Sequence, residues 1–265
     1  MVEREIMENE AAVESPPLAD DLFARMFEAG VHFGQKKSIL HPRMRPFVFA
    51  IRNGVALIDL EKTKEYLERA EAFLEELVSR NGNVLLVGTK PQARSAIESL
   101  ARRTNMPFAS LRWLGGTLTN FPTIRKRLDH LEDLEAKQAS GEFAKYTKWE
   151  EQQLLEEIER LEGKMGGLKT LKALPASLLI VDMMHEAVAV REAKKTGIPI
   201  VALADTNVDP SLADYPIPAN DDAASAIQWI LERLGEAIER GLKRAKEKEA
   251  AAEIPQAAPL PQPEA

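Results

Sequence analysis

The stretch Arg112-Trp113-Leu114-Gly115-Gly116-Thr117-Leu118-Thr119-Asn120-Phe121, followed by Pro122, sets a guanidinium and an indole just ahead of two adjacent glycines, with threonines and an asparagine behind them. Paired glycines strip the side chains from a patch of backbone, so another surface can come close, and one or both are expected at positive φ or against a near neighbour. Bare amides at a helix start, beside a cation and a flat ring, suit contact with phosphate and with bases. The same residues also suit a tight turn with Trp113 in the core. Residue types alone leave both readings open.

Two further groups carry chemistry. Gly88-Thr89-Lys90 follows a short apolar run and looks like half of a phosphate loop, but it lacks the spacing that surrounds phosphates with successive amides. Asp182, His185, Glu186 and Asp205 fall where strands should end, the place where open α/β sheets put ligands. They could supply a carboxylate–imidazole pair or a divalent-metal site; a helix cap at Asp182 and a loop brace at Asp205 are the plainer roles and are favoured. The four histidines are dispersed and there is no cysteine. No zinc constellation, thiolate chemistry or disulfide follows, and neither a metal nor a cofactor is expected.

The elements that must position these residues follow from periodicity. Asp21 to Ala29 suits a short helix closed by Gly30. A Gly- and base-rich loop then carries Lys36, Lys37, Arg43 and Arg45. Phe47–Ile51 and Val55–Leu60 flank Asn53-Gly54, a strong hairpin signal. Leu67, Ala70, Leu74, Leu77 and Val78 line one face of a helix over 61–80. Val84–Val87 is a buried strand leading through Gly88–Pro91 into a helix with Ala93, Ile97, Leu100 and Ala101. Met106–Leu111 is the next strand and delivers the Arg-Trp loop, after which Thr119 or Asn120 can cap a helix with Pro122 in its first turn. Strand, helix, strand at this spacing means a parallel sheet with helical crossovers.

From Pro122 to about Gln138, and again from about Thr147 to Met165, apolar residues recur at helical spacing around a break at Ser140-Gly141. This predicts an antiparallel helical hairpin, a coiled-coil arm inserted at 122–165, whose dense charges are chiefly a solvated face and secondarily a docking face. The α/β pattern resumes with a strand at Ser177–Val181, a helix at Glu186–Lys195 stopped by Gly197, and a strand at Ile198–Ala204. A polar, proline-bearing stretch runs from Asp205 to Asn220. Asn220 or Asp221 then caps a long final helix. The expected organisation is a flexible acidic extension at 1–20, an α/β domain of 21–121 and 166–248, the inserted arm, and a disordered tail at 249–265.

The formal net charge of −7 over 265 residues is unevenly spread. Met1–Glu28 carries −6, Glu249–Ala265 carries −3 and Glu132–Gly163 carries −6, which leaves the remaining body at +8. Regional charge sets the field a polyanion feels, so a basic body is concealed by acidic ends and an acidic arm. The N-terminus is acidic and lacks the apolar core of a secretory signal, and no run is long enough to span a bilayer. A cytoplasmic protein is expected, with no membrane partner and no small-molecule substrate.

RWLGGTLTNF resembles the signature loop of the bacterial second protein of the small ribosomal subunit. GVHFG (30–34), RNGVALIDLEKT (52–63), VGTKPQA (87–93), PASLLIVD with Glu186 and Arg191-Glu192-Ala193, IPIVALADTNVDP and YPIPANDDA resemble segments of that family in the same order. The family has His where this chain has Gln35, and Trp-Asn where it has Leu40-His41. The resemblance implies a three-layer, flavodoxin-like α/β fold with five strands in the order 2-1-3-4-5 and the helical arm where that family inserts one. It implies a structural, non-enzymatic role: binding 16S rRNA and neighbouring small-subunit proteins, among them the large, mobile first protein. The expected RNA-facing residues are Lys36, Lys37, Arg43, Arg45, Lys90, Arg94, Arg112, Trp113, Gly115, Gly116, Thr119, Asn120 and Arg125, with Arg52, Lys126 and Arg127 near them. The rival readings are a flavodoxin-like phosphate- or nucleotide-handling enzyme using Asp182 and Asp205, and a scaffold built on the arm.

Overall fold

The computed structural model describes residues 21–252, so the expected extension at 1–20 and the tail beyond 252 lie outside the described residues. Strands β4 (Val84–Val87), β5 (Phe108–Ala109), β6 (Ser177–Ile180), β7 (Ile200–Ala204) and β8 (Tyr215–Pro218) form a five-stranded sheet in the order β5-β4-β6-β7-β8, every adjacent pair parallel. Counted from β4 this is 2-1-3-4-5, consistent with a flavodoxin-like fold. Side chains alternate faces along each strand, and both faces are apolar.

Val84, Leu86, Leu179, Val181, Val201, Leu203 and Ile217 meet α2 (Leu60–Ser79), α3 (Pro91–Thr104) and α7 (Ala224–Ala252). Leu85, Val87, Leu178, Ile180, Ile200 and Ala202 meet α4 (Phe121–Ala139), α5 (Lys148–Met165) and α6 (Ala187–Thr196). The result is helix, sheet, helix. On the second face Ile124, Leu128, Leu131 and Leu134 of α4 share one cluster with Ile158 and Met165 of α5, and Phe143 from the connection between them is buried there too. Thr147 starts α5 with a full capping box: its side chain accepts from Glu150 N–H, and the Glu150 carboxylate accepts from Thr147 N–H.

Three expectations are corrected. The Gly- and base-rich segment is not only loop: Phe33–Lys36 is a strand (β1) that pairs antiparallel with β3 (Val55–Ile58), which also pairs with β2 (Val48–Arg52). FGQK shows no apolar alternation, so backbone pairing alone identifies it. The polar stretch 205–220 contains β8, whose Pro216 and Pro218 are tolerated because β8 lies at the sheet edge. The helix expected to end near 248 continues to Ala252. Asn53 and Gly54 both hold positive φ, as the tight β2–β3 turn requires.

The small sheet seats on the large one at the carboxyl end of β7. Gln35 N–H donates to Thr206 Oγ1 at 2.8 Å, and His41 N–H donates to the Thr206 carbonyl at 2.8 Å. Gly34 permits this approach: a Cβ there would stand 2.6 Å from Thr206 Cγ2 and 3.0 Å from the Ala56 carbonyl oxygen. Gly34→Ala is expected to cost about 1–3 kcal/mol, read as a lower melting temperature. Adding Thr206→Ser, which deletes Cγ2 and keeps the hydroxyl, should recover part of that loss. Unchanged melting of the single variant would show that the two sheets do not press together at this point.

Candidate nucleic-acid interface

The opening loop is organised from inside the protein by one carboxylate. Glu192 lies on the inward stripe of α6 between Ala189 and Ala193 and is buried. Its Oε1 accepts from Trp113 Nε1 at 3.2 Å and from Gly116 N–H at 2.7 Å. Its Oε2 accepts from Leu118 N–H at 3.0 Å, Thr119 N–H at 3.2 Å and Thr119 Oγ1 at 3.1 Å. Burial works to raise the carboxyl, but the Gly116, Thr119 and Leu118 amides and the indole outweigh it and hold Glu192 below its ordinary value.

These contacts correct the picture of bare amides awaiting a phosphate, because the protein's own anion takes the amides of Gly116, Leu118 and Thr119. Trp113 is core, its edge bonded to Glu192, so its ring does not stand out for stacking. Gly116 holds φ +89°, whereas Gly115 does not and faces open space. Asn120 occupies the position before α4, yet its Oδ1 accepts from Thr123 Oγ1 at 2.9 Å and caps no backbone N–H. What the loop presents outward is Arg112, exposed and without a hydrogen bond or ion pair to any described residue.

The crevice between the carboxyl ends of β4 and β6, where this sheet order would put a ligand, is filled by the chain itself. Glu186, buried, accepts from Thr89 N–H at 2.8 Å and Thr89 Oγ1 at 2.5 Å. Lys90 reaches Asp182 Oδ2 at 3.2 Å, Asp221 Oδ1 at 3.1 Å and Asp222 Oδ1 at 2.5 Å. Burial works against its charge, but Asp222, Asp221 and Asp182 together hold the ammonium protonated far above the ordinary lysine range. Asp182, at φ +66°, accepts from the Met184 and His185 amides at 2.9 Å, and Asp205 accepts from Thr206 N–H and Gln35 Nε2. Asp182 does not cap α6, whose N-cap residue is Glu186, but closes the turn ahead of it, and Asp205 braces the loop after β7. Three acidic groups already take up the Lys90 ammonium, so it is not free for a phosphate, which removes the electrostatic basis of the nucleotide reading.

The expected RNA-facing cations divide in two. Arg43 pairs with Asp209 at 2.6 Å, Arg94 donates to the Ser110 carbonyl, and Arg125 bonds Asp129, Glu132 and the Leu171 carbonyl. With Lys90 these act as internal braces. Lys36, Lys37, Arg45 and Arg112 are exposed and their side chains have no partner among the described residues, as is also true of Arg52, Lys126 and Arg127. Lys36 and Lys37 line a shallow hollow with the Asn53-Gly54 turn. Because all five strands of the large sheet are parallel, the Arg112 loop after β5 and the small sheet seated beyond β7 lie at the same end of that sheet.

Sequence reasoning missed Glu192, Gln35, Asp221 and Asp222 as site-building residues. For Glu192 a signal existed: an acid on the apolar stripe of a helix must find donors, because a buried unpaired charge is too costly. The other three become neighbours only through the fold.

The fold and site define an α/β protein whose ligand crevice is filled by its own charged side chains and whose exposed cations, unpaired among the described residues, stand outside it. A profile of the ribosomal protein S2 family matches residues 26–241. The small ribosomal subunit protein uS2 of Roseiflexus sp. is 48% identical over 219 residues, covering 83% of this chain and 84% of that one. Those of Thermus thermophilus and Sorangium cellulosum are each 45% identical, over 208 residues (78% and 81%) and 222 residues (84% and 80%). The chain belongs to the ribosomal protein S2 family.

Glu192→Gln replaces one acceptor oxygen by an amide donor facing other donors and is expected to cost about 2–3 kcal/mol at neutral pH. Because the folded carboxyl is held below its unfolded value, its contribution is present above the ordinary glutamate range and is lost as pH falls through the folded value. The stability gap between wild type and variant should therefore narrow on acidification below about pH 4, checked by denaturant unfolding across pH. A gap constant with pH would remove Glu192 as the loop's charged anchor.

The two glycines are expected to part company. Gly116→Ala should cost about 1–2 kcal/mol, while Gly115→Ala should stay within about 0.5 kcal/mol of wild type. Thermal melts of the two variants side by side check this.

Proposed function

We infer that this chain is a structural constituent of the small ribosomal subunit, acting in translation as a binding protein and not as an enzyme. Family membership carries the inference, and the site agrees with it: the sheet's ligand crevice is sealed by Lys90, Glu186 and the surrounding aspartates, while cations stand free outside it. We propose that 16S rRNA is met by Lys36, Lys37, Arg45 and Arg112, with Arg52, Lys126 and Arg127 on the margins. Gly115, Gly116, Thr119 and Asn120 supply the low-profile backbone that lets RNA come close to Arg112. Arg43, Arg94, Arg125, Lys90 and Trp113 act one step behind, by holding the loops that carry the free cations.

In this proposal α4 and α5 form the inserted antiparallel arm, supported by their shared apolar cluster and by the acidic charge of 132–163. An acidic arm is repelled by RNA and suits a protein neighbour, so it is assigned to contacts with other small-subunit proteins. The large first protein is a partner by family resemblance. The protein works in the cytoplasm, on the small subunit.

Arg112→Gln separates an RNA contact from an internal brace. As a free cation, Arg112 should be replaceable without change in melting temperature, yet the variant should incorporate less well than wild type in competitive small-subunit reconstitution. Affinity for isolated rRNA fragments should fall with salt, and the variant's log–log slope should be shallower by roughly 0.7–0.9, the share of one phosphate. Normal incorporation with an unchanged slope would take Arg112 out of the interface. Absence of the native chain from sedimenting small subunits would take away the function itself.

A further inference from the structure

Asp205 leaves the carboxyl end of β7, while Asp221 and Asp222 precede α7, and one carboxylate oxygen from each lies within 4.8 Å of the others. Asp205 is wholly buried and Asp221 is 2% exposed. Lys90 takes the Oδ1 atoms of Asp221 and Asp222. Gln35 Nε2 bridges Asp205 Oδ2 at 3.0 Å and Asp222 Oδ2 at 2.5 Å. The remaining oxygen, Asp221 Oδ2, is buried and has no hydrogen-bond partner. A carboxylate oxygen shut away from water with nothing to accept from is costly, and one ammonium cannot neutralise Asp182, Asp205, Asp221 and Asp222 together.

We propose that Asp205, Asp221 and Asp222, with Gln35 beside them, form a binding site for a hard divalent cation. Two ligands of one ion stand apart by at most twice the bond length, about 4.2 Å for Mg2+ and about 4.6–5.2 Å for Ca2+. The three oxygens, all within 4.8 Å of one another, are therefore gathered to about the span of one Ca2+ coordination sphere, and Mg2+ would need them closer. An all-oxygen donor set selects such ions over thiolate- or imidazole-seeking metals. The cation gives Asp221 Oδ2 its missing partner, and half a turn of the Gln35 amide presents Oε1 in place of the bridging N–H. It would tie the small sheet, through Gln35, to the ends of β7 and α7, at the end of the large sheet where the free cations stand.

The test uses the free full-length chain, stripped with chelator and melted in Ca2+, Mg2+ or Mn2+ against potassium salt of equal ionic strength. Wild type is expected to gain about 5–10 °C at a cation concentration about a hundredfold above the dissociation constant. Asp221→Asn, which relieves repulsion in the metal-free cluster, should melt no lower than metal-free wild type and should lose the increment. Asp222→Asn, at a more exposed position, should fold normally and bind bound-Mn2+ more weakly by electron paramagnetic resonance titration. No gain for wild type with any of the three ions would overturn the proposal, as would an equal gain in Asp221→Asn. No RNA is present, so failure here leaves the ribosomal reading as it stands.

Discussion

The buried Glu192 carboxylate is the constraint on which the interface loop depends. A glycine pair by itself gives a flexible backbone, and flexible backbone loses entropy on every contact it makes. Five donors from Trp113, Gly116, Leu118 and Thr119 converge on one anion, and that anion fixes the loop before any partner arrives. The charge is what makes this work: hydrogen bonds to an ionised acceptor are roughly twice as strong as neutral ones. Gly116 then serves the carboxylate, since its positive φ turns the amide inward. Arg112 is left outside because every inward position is taken.

The same economy closes the crevice. A doubly wound sheet of this order ordinarily gathers ligands where the strand order reverses, using helix N-termini that attract anions. Here Glu186 accepts from the Thr89 amide in the loop after β4, and Lys90 is drawn in among Asp182, Asp221 and Asp222. The machinery that would bind a nucleotide is spent on joining loops to one another. An enzyme needs that crevice open; a protein that presents a rigid surface gains from having it shut.

Much of the fold was legible in the sequence, for identifiable reasons. Val84–Val87 reads as a buried strand because it is apolar on both faces, and Asn53-Gly54 reads as a tight turn because both residues adopt left-handed backbone readily. What could not be read was held by partners far away in the chain. β1 has no apolar alternation and exists through pairing with β3, and β8 carries two prolines that only an edge position excuses. The site followed the same rule. Basic residues were visible, but which of them are free depends on carboxylates up to 166 residues away, as Arg43 and Asp209 show. A lysine count therefore overstates the interface, because Lys90, Arg43 and Arg125 are already neutralised at home.

That division has a consequence for how the surface meets a polyanion. An arginine already paired with an aspartate must break that pair or carry its acid along, so it adds little net attraction, whereas an unpaired one brings its full charge and releases a counterion from RNA. Lys36, Lys37, Arg45 and Arg112 stand unpaired at the end of the large sheet where the loops are braced from inside. In the proposed reading, the acids between 132 and 163, in a different part of the chain, oppose RNA and penalise wrong orientations. Attraction at one end and repulsion elsewhere orient the molecule during approach. Fixed backbone beneath exposed cations then limits the ordering cost on contact to a few side chains.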